Sequence, residues 1–238
     1  MTGTLHLIPV SLGEAPTERW LPADARTLAG QLDTYIAENA KTARAFLKQV
    51  GTVRPLQEIT IHTLTPKTKV AEIQQWLAPI KSGQDIGLVS EAGCPAVADP
   101  GATVVAAAHR LGISVHPCVG PSSILLGLMA SGLDGQRFAF HGYAPVEPAE
   151  RVKQLRAWEQ LSARQNQTQL LIETPYRNNT MFASLVATLR GDTRLCVARS
   201  LTTDGEWIRT QTIAEWKKSP APNLDKQPTL FLYLAQHA

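Results

Sequence analysis

The chain is poor in the features that mark most specialised classes of protein. It has three cysteines in 238 residues, Cys94, Cys118 and Cys196. An odd number set far apart excludes a disulfide framework, lacks metal-ligand spacing, and fits a reduced, cytoplasmic setting. No apolar run approaches the ~20 residues of a membrane span. Residues 1–9 lack the charged start and apolar core of a secretory leader. There is no internal repeat and no low-complexity tract, and 44% hydrophobic content is too high for a disordered chain. Charged residues make up 18%, with a formal balance of +3. So mild a charge tolerates an anionic partner such as RNA without pointing to one. Two nucleotide-binding signatures are missing as well: no G-x-G-x-x-G follows the first strand, and no G-x-x-x-x-G-K-[ST] occurs anywhere. That argues against ordinary dinucleotide-binding dehydrogenases and P-loop enzymes.

What is present is organised around residues 86–101, IGLVSEAGCPAVADPG. Ile86, Gly87, Leu88, Val89 and Ser90 make the short, wholly apolar or small run of a central parallel strand, and Glu91-Ala92-Gly93-Cys94-Pro95 breaks it abruptly. Gly93 has no side chain to hold a ligand off, and Asp99-Pro100-Gly101 resembles the cap and first positions of a helix over residues 102–111. Ligands of open α/β sheets sit at the carboxyl ends of strands, so this loop is the candidate cofactor shelf.

Around it, strands and helices alternate. Strands are expected at 5–10, 34–37, 59–62, 86–90 and 114–118. Helices are expected at 23–31, at 40–50 with Asn39 as cap and Gly51 as stop, at 68–80 and at 102–111. Such alternation implies a parallel sheet with helices on both faces. Gly120-Pro121-Ser122-Ser123 interrupts the pattern and opens a small-residue helix over 124–131. The expected boundary therefore divides an N-terminal domain, 1–118, from a C-terminal domain, 119–238. The second half carries strands at 138–141 and 169–173 and helices at 148–165 and 179–189. It closes on strands at 194–201, 206–213 and 229–235 without intervening helices, which calls for a mixed sheet.

The candidate chemistry is modest. Ser122 and Ser123, at a helix start after another strand, could hold a carboxylate or a ribose, and equally could be a plain cap. Glu38, Glu91, Asp99 and Glu173 fall at carboxyl ends of strands. Capping accounts for Asp99, and the other three are candidates to orient substrate or remove a proton. Cys94 on the shelf is either a small apolar filler or a nucleophile. His6, His62, His109, His116, His141 and His237 show no close pairing suited to a metal. Arg151, Lys153, Arg156 and Arg164 on one helix suggest a solvated face, with phosphate contact as the alternative.

At these residues the chain resembles the tetrapyrrole methylase family, whose members include precorrin and uroporphyrinogen methylases, diphthine synthase and ribosomal RNA 2′-O-ribose methyltransferases. It looks nearest to the ribosomal branch. There an apolar strand is followed by S-D-A-G-T-P and S-D-P-G; this chain has Ser90-Glu91-Ala92-Gly93-Cys94-Pro95 and Ala98-Asp99-Pro100-Gly101. The family's P-G-P-S-A, A-S-G-L, E-A-P-H-R and A-R-E-L-T match in the same order. They stand as Val119-Gly120-Pro121-Ser122-Ser123, residues 130–133, Glu173-Thr174-Pro175-Tyr176-Arg177 and Ala198-Arg199-Ser200-Leu201-Thr202. Two motifs depart: T-P-I-G-N is Val10-Ser11-Leu12-Gly13-Glu14, and A-E-D-T-R is Ala37-Glu38-Asn39-Ala40-Lys41, without the aspartate and arginine.

The resemblance implies a two-domain α/β fold, S-adenosylmethionine held in the cleft between the domains, no metal, and a homodimer. By position it sets the donor against Ser11, Gly93, Cys94, Val97, Ser122, Ser123, Leu201, Pro228 and Thr229. It implies methyl transfer, with ribosomal RNA as the favoured acceptor. A small-molecule methylase, or a donor-binding protein that has lost catalysis, are the alternatives.

Overall fold

The computed structural model describes residues 2–236, so His237 lies outside the described residues. The chain forms two compact units that divide after Ser122, not after Cys118. Residues 119–122 stay with the first unit because the Cys94 thiol meets the Pro121 carbonyl at 3.3 Å.

The first unit is an all-parallel five-stranded sheet. Its strands are β1 (Thr4–Leu7), β2 (Thr34–Ala37), β3 (Thr60–Thr63), β4 (Ile86–Val89) and β5 (Ser114–Pro117), in the order β3-β2-β4-β1-β5. β2 and β4 are buried along their whole length, as central strands covered on both faces must be. Helices α1 (Ala23–Gln31) and α2 (Ala40–Val50) pack Ala25, Ala29, Phe46 and Leu47 on one face, against Ile8, Tyr35 and Val89. Helices α3 (Val70–Leu77) and α4 (Ala102–Arg110) pack Ile73, Leu77, Val104 and Ala108 on the other, against Leu5, Ile36 and Leu88. Each fully buried Leu, Ile or Val side chain among them contributes about 1.5–3 kcal/mol. The Asn39 side chain accepts from the Lys41 amide at 2.9 Å, and Gly51 ends α2 with a positive φ. Helix α3 is shorter than the apolar spacing predicts, because Pro79 cannot continue it and residues 78–82 tighten into a 3-10 turn.

The second unit is a mixed sheet of β6 (Phe138–Tyr143), β7 (Thr168–Ile172), β8 (Arg194–Arg199), β9 (Trp207–Thr212) and β10 (Thr229–Leu234), in the order β6-β7-β10-β8-β9. Only β6 and β7 run parallel; the other neighbours are antiparallel. Helix α5 (Ser123–Ser131) lies against β8, β9 and β10, while α6 (Pro148–Gln165) and α7 (Asn178–Thr188) pack on one another. The last three strands are not free of helix. A short α8 (Ile213–Trp216) follows β9, opened by a capping box in which Thr212 and Glu215 bond reciprocally.

Candidate functional site

In the first sheet, the chain leaves β1 through α1 for β2, on the β4 side, and leaves β4 through α4 for β5, on the β1 side. The two helices cover opposite faces. Neighbouring strands whose chains leave to opposite faces of the sheet open a crevice at their carboxyl ends, and the Gly93 loop sits there.

Three stretches meet at that point. Val10 and Gly93 form an isolated antiparallel bridge, and the Ser90 hydroxyl donates to the Gly93 carbonyl at 2.9 Å. Gly93 has φ 72°, and a Cβ there would stand 3.1 Å from the Leu12 side chain and 3.2 Å from the Pro121 carbonyl. Gly120 lies so close to Pro9 that a Cβ would meet the proline ring at 2.4 Å. Ala96 and Ala98 also hold positive φ, a conformation braced by Asp99. The Asp99 carboxylate accepts from the Ala96 amide at 2.9 and 3.0 Å and from the Gly101 amide at 2.6 Å. Asp99 thus ties the loop together and does not cap α4, whose first flanking residue is Gly101. Gly93 and Cys94 meet the Gly120-Pro121 backbone, remote in sequence, at this crevice, while Val97 stands half exposed. Cys94 donates its thiol to Pro121, and burial pushes its pKa up, which suits a filler and not a nucleophile.

The carboxylates divide. Burial raises the Glu38 pKa, and the charges of Asp99 and Glu91 raise it further against the pull of the Glu91 backbone amide. Glu91 is exposed and takes a hydrogen bond from the Thr42 hydroxyl at 2.5 Å. Glu173 belongs to the second unit. Its side chain is 1% exposed, and its Oε1 already accepts from Arg177 at 2.5 Å and from the Thr174 amide at 2.7 Å.

Beside Glu91 a cavity of about 200 Å³ opens, lined by Ser11, Thr42, Phe46, Gln49 and Ser90 among others. Thr42, Phe46 and Gln49 carry no motif in the sequence; their spacing of four and three along α2 is the one signal that sets them on a common face. On α2, Lys41, Arg44 and Lys48 are exposed. The basic face expected on α6 is smaller than its sequence suggests. Arg151 is buried, its guanidinium donating to the Ser184 hydroxyl and the Val146 carbonyl.

In the second unit, Leu201, Pro228 and Thr229 come together at one end of β8 and β10. The Ser200 amide donates to the Pro228 carbonyl at 2.8 Å, and Thr229 pairs with Arg199. Leu201 and Thr229 are buried, and Ser200 and Thr202 on either side of Leu201 hold positive φ. Ser123 begins α5.

Residues 18–217 match the family of tetrapyrrole (corrin/porphyrin) methylases. The chain is 30% identical over 237 residues to the ribosomal RNA small subunit methyltransferase I of Xylella fastidiosa, covering 99% of this chain and 82% of that protein. It is 32% identical over 213 residues to the protein of the same name from Bacillus subtilis, covering 90% and 68%. Among solved structures, the methyltransferase CobJ superposes with a TM-score of 0.63 at 17% identity, over 98% of this chain and 95% of that one. The uroporphyrin-III-C-methyltransferase of Thermus thermophilus gives 0.53 at 18%, over 98% and 93%. At such identities the two structures speak for the fold alone. Among the described residues no helix is long and apolar enough to cross a membrane.

Proposed function

Because the chain belongs to the tetrapyrrole methylase family, we propose that it transfers a methyl group from S-adenosylmethionine to a ribose 2′-hydroxyl of ribosomal RNA. Methyl transfer as the reaction class comes with that membership. RNA as acceptor is supported by the names of the relatives and by Lys41, Arg44 and Lys48 beside the cavity next to Glu91.

The observation that carries the reading is the cradle at Gly93. The Val10 and Pro121 backbones close on a residue that a single added carbon would overfill, at the crevice where an α/β sheet takes its ligand. Gly93, Cys94, Val97 and Ser122, with Ser11 on the first loop, would hold the donor there. Ser123, Leu201, Pro228 and Thr229 are proposed as further donor contacts on the family resemblance alone.

When bound, the donor supplies an electrophilic methyl group on a sulfonium. This chain's own residues must then align the acceptor hydroxyl and receive its proton. Glu38 is the proposed base, since a carboxylate whose pKa is raised toward neutrality holds a proton better than an ordinary one. Glu91, bonded to Thr42, is proposed to orient the ribose, and Glu173, tied to Arg177, to serve structure. A cytoplasmic homodimer completes the proposal.

The test is methylation of small-subunit ribosomal RNA with labelled donor, followed by digestion to nucleosides. A labelled 2′-O-methylnucleoside is expected. Label found only on a base, or only on a tetrapyrrole offered in the same assay, would refute the acceptor assignment.

A further inference from the structure

We propose that His6, His116 and Cys118 form a binding site for a divalent cation of the zinc class in the first unit, built from residues other than those proposed for methyl transfer. The three residues are scattered in sequence but brought together by strand register. His6 on β1 pairs with His116 on β5, and in a parallel ladder paired residues present their side chains on the same side. Cys118 lies two residues beyond His116, hence on that same side, where its amide donates to the Leu7 carbonyl at 2.9 Å. The two imidazoles meet edge to face at 5.6 Å, and one ligand atom from each of the three residues lies within 4.8 Å of the other two.

His6 is the second line of argument. Its side chain is 12% exposed, and both ring nitrogens are buried without a hydrogen-bond partner. The nearest carboxylate oxygen, on Asp85, stands 3.6 Å from Nε2, beyond hydrogen-bond reach and already accepting from the Thr4 amide. A buried imidazole left unpaired is costly, and a cation would relieve it.

The donor set selects the ion. Two imidazoles and a thiol suit zinc and its neighbours, and suit magnesium or calcium poorly. On ligation the Cys118 sulfur binds as thiolate and its proton leaves to solvent. Three protein ligands leave a fourth position for water, and His116 is exposed, so the ion has a way in. The site also sits at the root of residues 119–122, whose Pro121 carbonyl meets Cys94. Bound metal would fasten edge strand β5 at the point where that loop leaves it.

The experiment is titration of tag-free, metal-stripped full-length protein with Co²⁺ as optical probe. One ion per chain is expected, with a near-ultraviolet thiolate-to-cobalt band that Zn²⁺ abolishes by displacement. Cys118→Ser should remove the band, and His116→Gln should weaken binding by at least about tenfold, as loss of even an outer partner does. Cys94→Ser should leave both intact. Far-ultraviolet circular dichroism checks each fold, and His116→Gln, at an exposed position, carries the test if Cys118→Ser fails to fold. A folded wild-type chain that shows no band, or a band that survives both substitutions, would overturn the site.

Discussion

Val10 and Gly93 exchange a pair of backbone hydrogen bonds, Val10 N–H to the Gly93 carbonyl at 3.0 Å and Gly93 N–H to the Val10 carbonyl at 3.2 Å. They belong to the exits of two neighbouring parallel strands, β1 and β4, so parallel order ends and a short antiparallel clasp begins at the mouth of the crevice. The clasp forces the chain after β4 to turn back at once, which is why the position needs a residue that accepts φ 72°.

Gly93→Ala tests that clasp. A side chain there meets both a left-handed backbone and contacts at 3.1 and 3.2 Å, a combination costing about 1–2 kcal/mol. We expect donor affinity, by calorimetric titration with S-adenosylmethionine, to fall about tenfold or more while Tm drops by a few degrees. Unchanged affinity would remove Gly93 from the donor site.

Glu38→Gln tests the proposed base. Losing a positioned proton acceptor should lower kcat by about 10²- to 10⁴-fold. In the wild-type enzyme the acid limb of kcat/KM should lie above the ordinary carboxylate range, rising as Glu38 ionises, because burial and two neighbouring acids raise its pKa. The limb should vanish in the variant; if it stays, another group is the base.

Arg177→Met separates structure from catalysis at Glu173. It strands a carboxylate that is 1% exposed with only the Thr174 amide for company, at a cost of about 1–3 kcal/mol in urea unfolding. Turnover per folded molecule should hold; a fall in kcat with stability unchanged would restore Glu173 to the candidates for base.

Replacing Lys41, Arg44 and Lys48 together by alanine should weaken RNA binding and lower its salt dependence. Three cations at ~0.7 each for single-stranded RNA take about 2 from the slope of log K against log salt. A slope equal to that of the wild type would place the RNA elsewhere.

Burial lowers the pKa of His6, His62 and His141. Their neutral forms are favoured in the fold, and below the ordinary 6.5 the unfolded chain binds more protons than the folded one. This stabilisation is therefore complete above 6.5 and is lost as pH falls through the lowered folded values. Calorimetric Tm should decline across that interval, and a Tm that climbs on acidification would contradict it.

Much of the molecule was legible from local signals. Helices α1, α2 and α6 and strand β2 have the bounds their caps and apolar runs predict, because Asn39, Gly51 and Pro148 act within one turn of themselves. The short α8 is invisible to pattern because a four-residue helix shows no periodicity, and only the capping box at Thr212 and Glu215 marks it. Spacing along α6 places Arg151 on a solvated face, because it does not reveal that α7 brings Ser184 against it.

The order of apolar strands, glycine loops and caps by itself determined the alternation of elements, the parallel first sheet and the family, since each depends on residues close along the chain. Only the tertiary structure decided which loops meet. Strand order put β1 between β4 and β5, and so set Val10 and Pro121 on either side of Gly93 and His6 beside His116. Those meetings come from hydrogen bonding across distant segments. Whole-core packing selects that pairing, and no window of sequence contains it.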